Sequence, residues 1–209
     1  MDYPYGEWII FFLALATWAE KRTSRHFFLV MMIAWLIGKC VEVVFPSTLP
    51  WNWHFARLAV LLAFWVWAWQ RDGRRILPLL FTSLVLSLET LLIVNEPGVI
   101  PYGLWVFTLG IILVAWLTGK SYWGTAAAFS GSILVNQALV RFTHEGIVRY
   151  ADFPDAFVWN FGVAFFAIWA GFLVGFQYYT ERKGKAQIVE HLFPGKGVKT
   201  YEQEEQKLQ

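Results

Sequence analysis

Apolar residues in this chain come in long runs separated by short polar breaks. A helix needs about 20 mostly apolar residues to cross the hydrocarbon core of a bilayer. The runs predict seven such helices: Tyr5–Ala19, His26–Phe45, Trp51–Trp69, Ile76–Val94, Val99–Leu117, Ser121–Val140 and Phe157–Gln177. The breaks are mostly short, so consecutive helices are expected to be antiparallel neighbours. No Gly/Ser linker, low-complexity tract, internal repeat or large soluble insertion interrupts them. The expected fold class is all-α, a polytopic transmembrane bundle of about seven spans in one domain over residues 1–179. Residues 180–209 form an expected cytoplasmic tail. In it Ile188, Val189, Leu192 and Phe193 recur at helical spacing and predict a short interfacial helix. Pro194 and Gly195 end that helix, and YEQEEQKLQ reads as a solvated, flexible end.

The basic residues orient the bundle. Lys21, Arg22 and Arg25 follow the first run, Arg71, Arg74 and Arg75 the third, and Lys120 the fifth. The tail adds Arg182, Lys183, Lys185, Lys196, Lys199 and Lys207. The opposite side holds only Arg141 and Arg149, while Lys39 and Arg57 fall inside spans. Lys and Arg concentrate on the cytoplasmic side, which predicts an outside N-terminus and a cytoplasmic C-terminus. Tryptophans agree: Trp8, Trp51, Trp53, Trp105 and Trp159 fall near the outer interface, and Trp18, Trp65, Trp67, Trp69, Trp116 and Trp123 near the inner one. Indole rings favour both interfaces as anchors, and only Trp35 and Trp169 sit well inside a span.

Composition strengthens the membrane assignment. Hydrophobic residues make up 57% and charged residues 15% of the chain, and the mean hydropathy is +0.47. A soluble domain carries about 25% charged residues, so too little polar surface is left to coat a water-soluble particle. The net charge of +2 hides the asymmetry across the membrane. The single cysteine, Cys40, lies in an apolar run and reads as a small buried hydrophobe. MDYPYGEWII lacks the basic region and cleavage site of a signal peptide, so the first helix is expected to be retained.

Against this apolar background the intramembrane polar residues stand out. Lys39 and Glu42 lie in the outer half of the second span, three residues apart on one face. Arg57 lies just inside the outer end of the third, and Glu89 in the outer half of the fourth. Asn136 and Gln137 are in the outer part of the sixth, and Asn160 is one turn into the seventh. Each Lys, Arg, Asp or Glu near the bilayer centre costs about 2.5–3.5 kcal/mol on the insertion scale. The four charges therefore predict one self-neutralising network, with Lys39 paired to Glu42 and Arg57 to Glu89 or Glu42. The bland role for that network is polar glue between helices, with the basic residues snorkelling to outer headgroups. The sharper roles are an outward-open pocket for a small polar ligand or lipid headgroup, or an ion-coupled path in which Glu89 or Glu42 titrates.

Other signals are weaker. Gly124, Ala128 and Ser132 form one small-residue stripe on the sixth helix, with Ala127 and Gly131 beside it. Ala167, Gly171 and Gly175 form another on the seventh. Such stripes let helix backbones approach, within the bundle in the first reading and at a homodimer face in the second. His144–Glu145 begins a zinc-protease motif, but Val148 stands where the second histidine belongs. His54, His144, Asp152 and Asp155 read as loop residues before they read as metal ligands, and no cofactor is expected. Ser130 and Ser132 lack a matching histidine and read as packing residues. The seventh helix has no lysine for a retinal Schiff base. Arg74 and Arg75 read as topological signals, with no nucleic-acid patch.

The order WIIFFLALATW, EKRTSR and a second hydrophobic helix resembles the start of the YphA-like proteins, small multi-spanning membrane proteins of Gram-positive spore-formers. The resemblance covers about the first quarter of the chain and implies a bacterial cytoplasmic membrane. The expected role is a non-catalytic binding or envelope-associated component, meeting lipid and a membrane partner or a second copy of itself. A small solute or ion-coupled transporter is the runner-up.

Overall fold

The computed structural model describes residues 4–18, 22–45, 51–72, 76–95, 103–143 and 151–192. Its seven helices are α1 (Tyr5–Thr17), α2 (Arg22–Val44), α3 (Phe55–Arg71), α4 (Ile76–Asn95), α5 (Gly103–Gly119), α6 (Tyr122–Thr143) and α7 (Ala156–Leu192). Two strands, β1 (Trp51–Trp53) and β2 (Ala151–Phe153), pair in parallel with Trp51 opposite Ala151. The all-α class is as expected. The chain divides into two compact units, Met1–Ala164 and Phe165–Gln209.

In the first unit α6 is the central helix, packing against α3, α4 and α5, while α2 packs on α3 and α1 on α2. The sequence explains why α6 takes the centre. Gly124, Thr125, Ala126, Ala127, Ala128, Phe129, Ser130, Gly131, Ser132 and Ile133 are all buried, and most of them are small. Small side chains allow three neighbours to approach one helix. A Cβ on Gly131 would lie 2.5 Å from Trp65 Nε1 and 2.7 Å from Leu79 Cδ1, so α3 and α4 both close in at that point. Ser130 and Ser132 donate to the carbonyls of Ala126 (2.6 Å) and Phe129 (2.8 Å). Both hydroxyls are thereby satisfied inside their own helix, which agrees with a packing role.

Helix bounds depart from the apolar runs where backbone bonding outweighs hydropathy. Trp51–Trp53, expected to open the third helix, is instead β1. Its backbone pairs with β2, and His54 N donates to Phe153 O at 2.8 Å. The Trp53 ring packs on Phe153 and stacks on Phe55, with centroids 5.2 and 6.1 Å apart. Cys40 is exposed, contrary to the buried hydrophobe expected. It stands two residues from buried Gly38, and two residues along a helix is a turn of roughly 200°.

The second unit holds the rest of α7. The segment expected as a separate interfacial helix is backbone-continuous with α7 as far as Leu192, and residues 193–209 lie outside the described residues. Phe165, Phe166 and Trp169 form a ring cluster with centroids 5.3–6.2 Å apart. Gly171 and Gly175, expected against another helix, have nothing within 4 Å of an added Cβ among the described residues of this unit.

Among the described residues two stretches, Ser24–Val44 and Ala156–Thr180, are long and apolar enough to cross a membrane. Tyr5–Thr17, Ile76–Leu92 and Trp105–Gly119 are shorter apolar helices. At 13 residues and about 1.5 Å per residue, α1 is shorter than a hydrocarbon core of about 30 Å. Large apolar side chains such as Phe12, Ile37, Leu62, Leu84, Leu113 and Leu139 are exposed on α1 to α6.

At Gly38 the backbones of α2 and α3 approach closely. A Cβ on Gly38 would collide with Ala56 Cα, and would lie 2.5 Å from Phe55 O and 2.7 Å from Ala56 N. These are backbone atoms that cannot swing aside. Gly38→Ala should therefore part the two helices and destabilise the protein by about 1–3 kcal/mol. Gly110, with nothing within 4 Å, is the control: Gly110→Ala should be neutral or slightly stabilising, since alanine is the better helix former. Thermal unfolding in detergent measures both, and equal midpoints for the two variants would refute the close approach.

Candidate functional site

The polar residues of the expected outer half resolve into two groups. The first joins α1, α2 and α3. Lys39 and Glu42 pair at 2.8 Å within α2, as their spacing predicts. The second carboxylate oxygen of Glu42 accepts from Ala56 N at 2.9 Å. That amide is in the first turn of α3, where backbone N–H groups lack intrahelical acceptors. His54, at the N-cap position, supplies no side-chain bond. Glu42 therefore caps α3 from a neighbouring helix, and its negative charge suits the helix N-terminus.

Arg57 follows one residue later and is 8% exposed. Its Nε donates to Glu7 Oε1 at 3.3 Å. The other Glu7 oxygen accepts from Trp35 Nε1 at 3.3 Å, and Lys39 Nζ lies 5.8 Å from the centroid of the Trp35 ring. Glu42, Lys39, Trp35, Glu7 and Arg57 thus form one connected chain of contacts. This corrects the expected pairing: the partner of Arg57 is Glu7, not Glu89 or Glu42. The sequence does not single out Glu7, because it opens the shortest apolar run; its signal there is an acid in the first turn of the first expected span, at the depth expected for Arg57.

Asn160 belongs to the same end of the unit. Its Oδ1 accepts from Gly6 N at 2.9 Å in a buried bond, which satisfies an orphan amide of the first turn of α1. A Cβ on Gly6 would lie 2.8 Å from that oxygen and 3.0 Å from Trp159 Nε1. Trp159 is buried, packed here and not an anchor in the headgroups as expected.

The second group lies where α4 meets α6. Asn136 Nδ2 donates to Thr90 Oγ1 at 3.1 Å, and Asn136 Oδ1 stands 3.3 Å from the same hydroxyl. Thr90 also donates to Leu86 O at 3.0 Å. One residue to either side of this bond are Glu89 and Gln137, 6% and 7% exposed. Glu89 Oε2 and Gln137 Oε1 are buried with no hydrogen-bond partner. No basic residue pairs with Glu89 among the described residues. The charge that acts on it most is the Asp155 carboxylate, which caps α7 by accepting from Phe157 N (2.9 Å) and Val158 N (3.1 Å). Burying a carboxylate without a partner costs several kcal/mol.

The structure therefore brings Lys39 to Glu42, Asn160 to α1 and Asn136 to Thr90, and leaves Glu89 and Gln137 unmatched. Among the described residues no group of three His, Cys, Asp or Glu side chains gathers to hold a metal. Of the loop histidines, His54 contacts Asn52 Nδ2 through Nε2 at 3.2 Å, and His144 lies outside the described residues.

The two groups should separate in double-mutant cycles on thermal unfolding. Glu7→Gln and Arg57→Gln should each destabilise, and the double variant should recover about 0.5–3 kcal/mol of the summed loss. Glu89→Gln combined with Arg57→Gln should be additive within about 0.5 kcal/mol. Coupling in the second cycle and none in the first would reverse the pairing.

No protein-family model, curated protein or solved structure matches this chain, so the reading of the site rests on its own geometry.

Proposed function

We propose that this chain is a seven-span protein of a bacterial cytoplasmic membrane, with its N-terminus outside and its C-terminus in the cytoplasm. In this reading it is a non-catalytic binding component that presents the α4–α6 polar site to a small polar ligand or headgroup from outside. The observation that carries the binding role is Glu89, a buried carboxylate with an oxygen left unpartnered. Arg57 has Glu7 as its counter-ion, with Nη1 left buried and unpartnered, whereas Glu89 has no counter-ion among the described residues. The spanning role draws on the large apolar side chains exposed on α1 to α6, because a monomer in water seldom exposes so much contiguous apolar surface. The orientation draws on the bias of Lys and Arg to one side. The bacterial setting draws on the resemblance of the first two helices to the YphA-like proteins. A small ion-coupled transporter is the second reading, favoured by the same carboxylate.

Cysteine accessibility tests both orientation and access. In a Cys40→Ser background an impermeant thiol reagent added to intact cells should label Gly98→Cys and leave Gly73→Cys unlabelled. Glu89→Cys should also react from outside, more slowly. Labelling of Gly73→Cys in place of Gly98→Cys would invert the topology. An unreactive Glu89→Cys, with Gly98→Cys labelled, would mean a sealed site and would end the binding role.

A further inference from the structure

Where α2 and α6 begin and α3 ends, the first unit carries an aromatic cluster around one cation. The Phe27 ring packs edge-on against Trp67 and Trp123, with centroids 5.4 and 6.1 Å away. The His26 ring lies 5.7 Å from that of Trp67. Arg71 Cζ stands 5.6 Å from the centroid of Trp67, one turn earlier on α3, and 5.5 Å from that of Trp123 on α6. Two indole rings from two helices thus attract one guanidinium. Both tryptophans are half-buried, while Arg71 is exposed. The rings hold a cation that stays open to its surroundings.

No acid pairs with that cation among the described residues, where the ion pairs are Lys39–Glu42 and Arg57–Glu7. The adjacent carboxylate, Asp72, accepts instead from the Ser121 hydroxyl. Ser121 Oγ in turn accepts from Gly124 N at 2.9 Å and so caps α6. Indole rings settle at the headgroup level of a bilayer, and a guanidinium fixed to two of them settles there as well. Its planar fork of N–H donors fits two phosphate oxygens at once. The ring contacts restrain its rotamers beforehand, so less freedom is lost on binding. A zwitterionic headgroup would bring its own ammonium beside Arg71, and like charges repel. A headgroup whose only charge is its phosphate carries no such penalty.

We propose that Arg71, held over Trp67 and Trp123, binds the phosphate of an anionic phospholipid in the leaflet that meets this end of the bundle. In the orientation above that leaflet is the cytoplasmic one, where anionic lipid attracts basic residues. The proposal rests on the membrane-spanning reading and is independent of Glu89.

Thermal unfolding of the purified full-length chain in dodecyl maltoside tests this, with dioleoylphosphatidylglycerol or dioleoylphosphatidylcholine added at equal mole fraction and constant ionic strength. Binding to the folded state alone raises the unfolding midpoint as the ligand saturates. The expected result is a saturable rise with phosphatidylglycerol that exceeds any rise with phosphatidylcholine. Arg71→Gln should weaken the apparent affinity by about tenfold or more. Arg71→Lys, which keeps the charge and loses the fork, should fall between that variant and the wild type. Arg25→Gln removes an exposed charge beside His26 and should keep the rise. Equal responses to the two lipids, an unchanged response in Arg71→Gln, or an equal loss in Arg25→Gln would overturn the site. Inorganic phosphate that reproduces the rise would overturn the lipid as its ligand. The Gly73→Cys label, two residues beyond Arg71, reports the leaflet separately. Labelling from outside with the phosphatidylglycerol response intact would invert the orientation and leave the lipid site standing.

Discussion

The packing of α1, α2 and α3 turns on the Arg57 guanidinium. It is buried at the first turn of α3, where nothing in its own helix can neutralise it. Glu7 does so from α1, and once Glu7 is held, its second oxygen engages Trp35 on α2. Lys39 lies over the Trp35 ring, and Glu42 runs from Lys39 back to the residue before Arg57. Removing one charge from such a chain strands its partner in low dielectric, which costs more than removing both. Three helices are therefore positioned by one circuit of opposite charges. Gly38 is what lets the circuit close, since any side chain there would hold α3 away from α2.

The α4–α6 contact follows different rules. It is framed by small residues, with Gly131 against Trp65 and Leu79, so the helices meet by shape before polar groups matter. Polar atoms placed at such a contact are not obliged to find one another. Thr90 and Asn136 do, while Glu89 and Gln137 do not. Within one unit the buried charges thus differ: Arg57 has Glu7 as counter-ion, and Glu89 has none among the described residues.

Much of this was determined by the sequence alone. Seven helices follow from seven apolar runs, because a long apolar run has few folded forms other than a helix. The Lys39–Glu42 pair follows from a spacing of three on one helix, a local rule that needs no tertiary information. The small residues of α6 announced close packing, since only Gly, Ala and Ser admit neighbours from several sides. Tertiary structure alone decided the rest, and each case involves a long-range choice. The sequence points Arg57 to Glu89 or Glu42, and depth does not say which helix lies beside which. Trp51–Trp53 reads as apolar helix until β2, a hundred residues on, offers its backbone a partner. Gly171 and Gly175 carry the same stripe signal as α6, yet among the described residues of their own unit nothing lies within 4 Å of an added Cβ. Small-residue spacing states that a neighbour fits; only the fold supplies one. The same logic left Glu89 undecided: its sequence marks a costly charge, and whether that charge is matched depends on the side chains that three-dimensional packing brings to it.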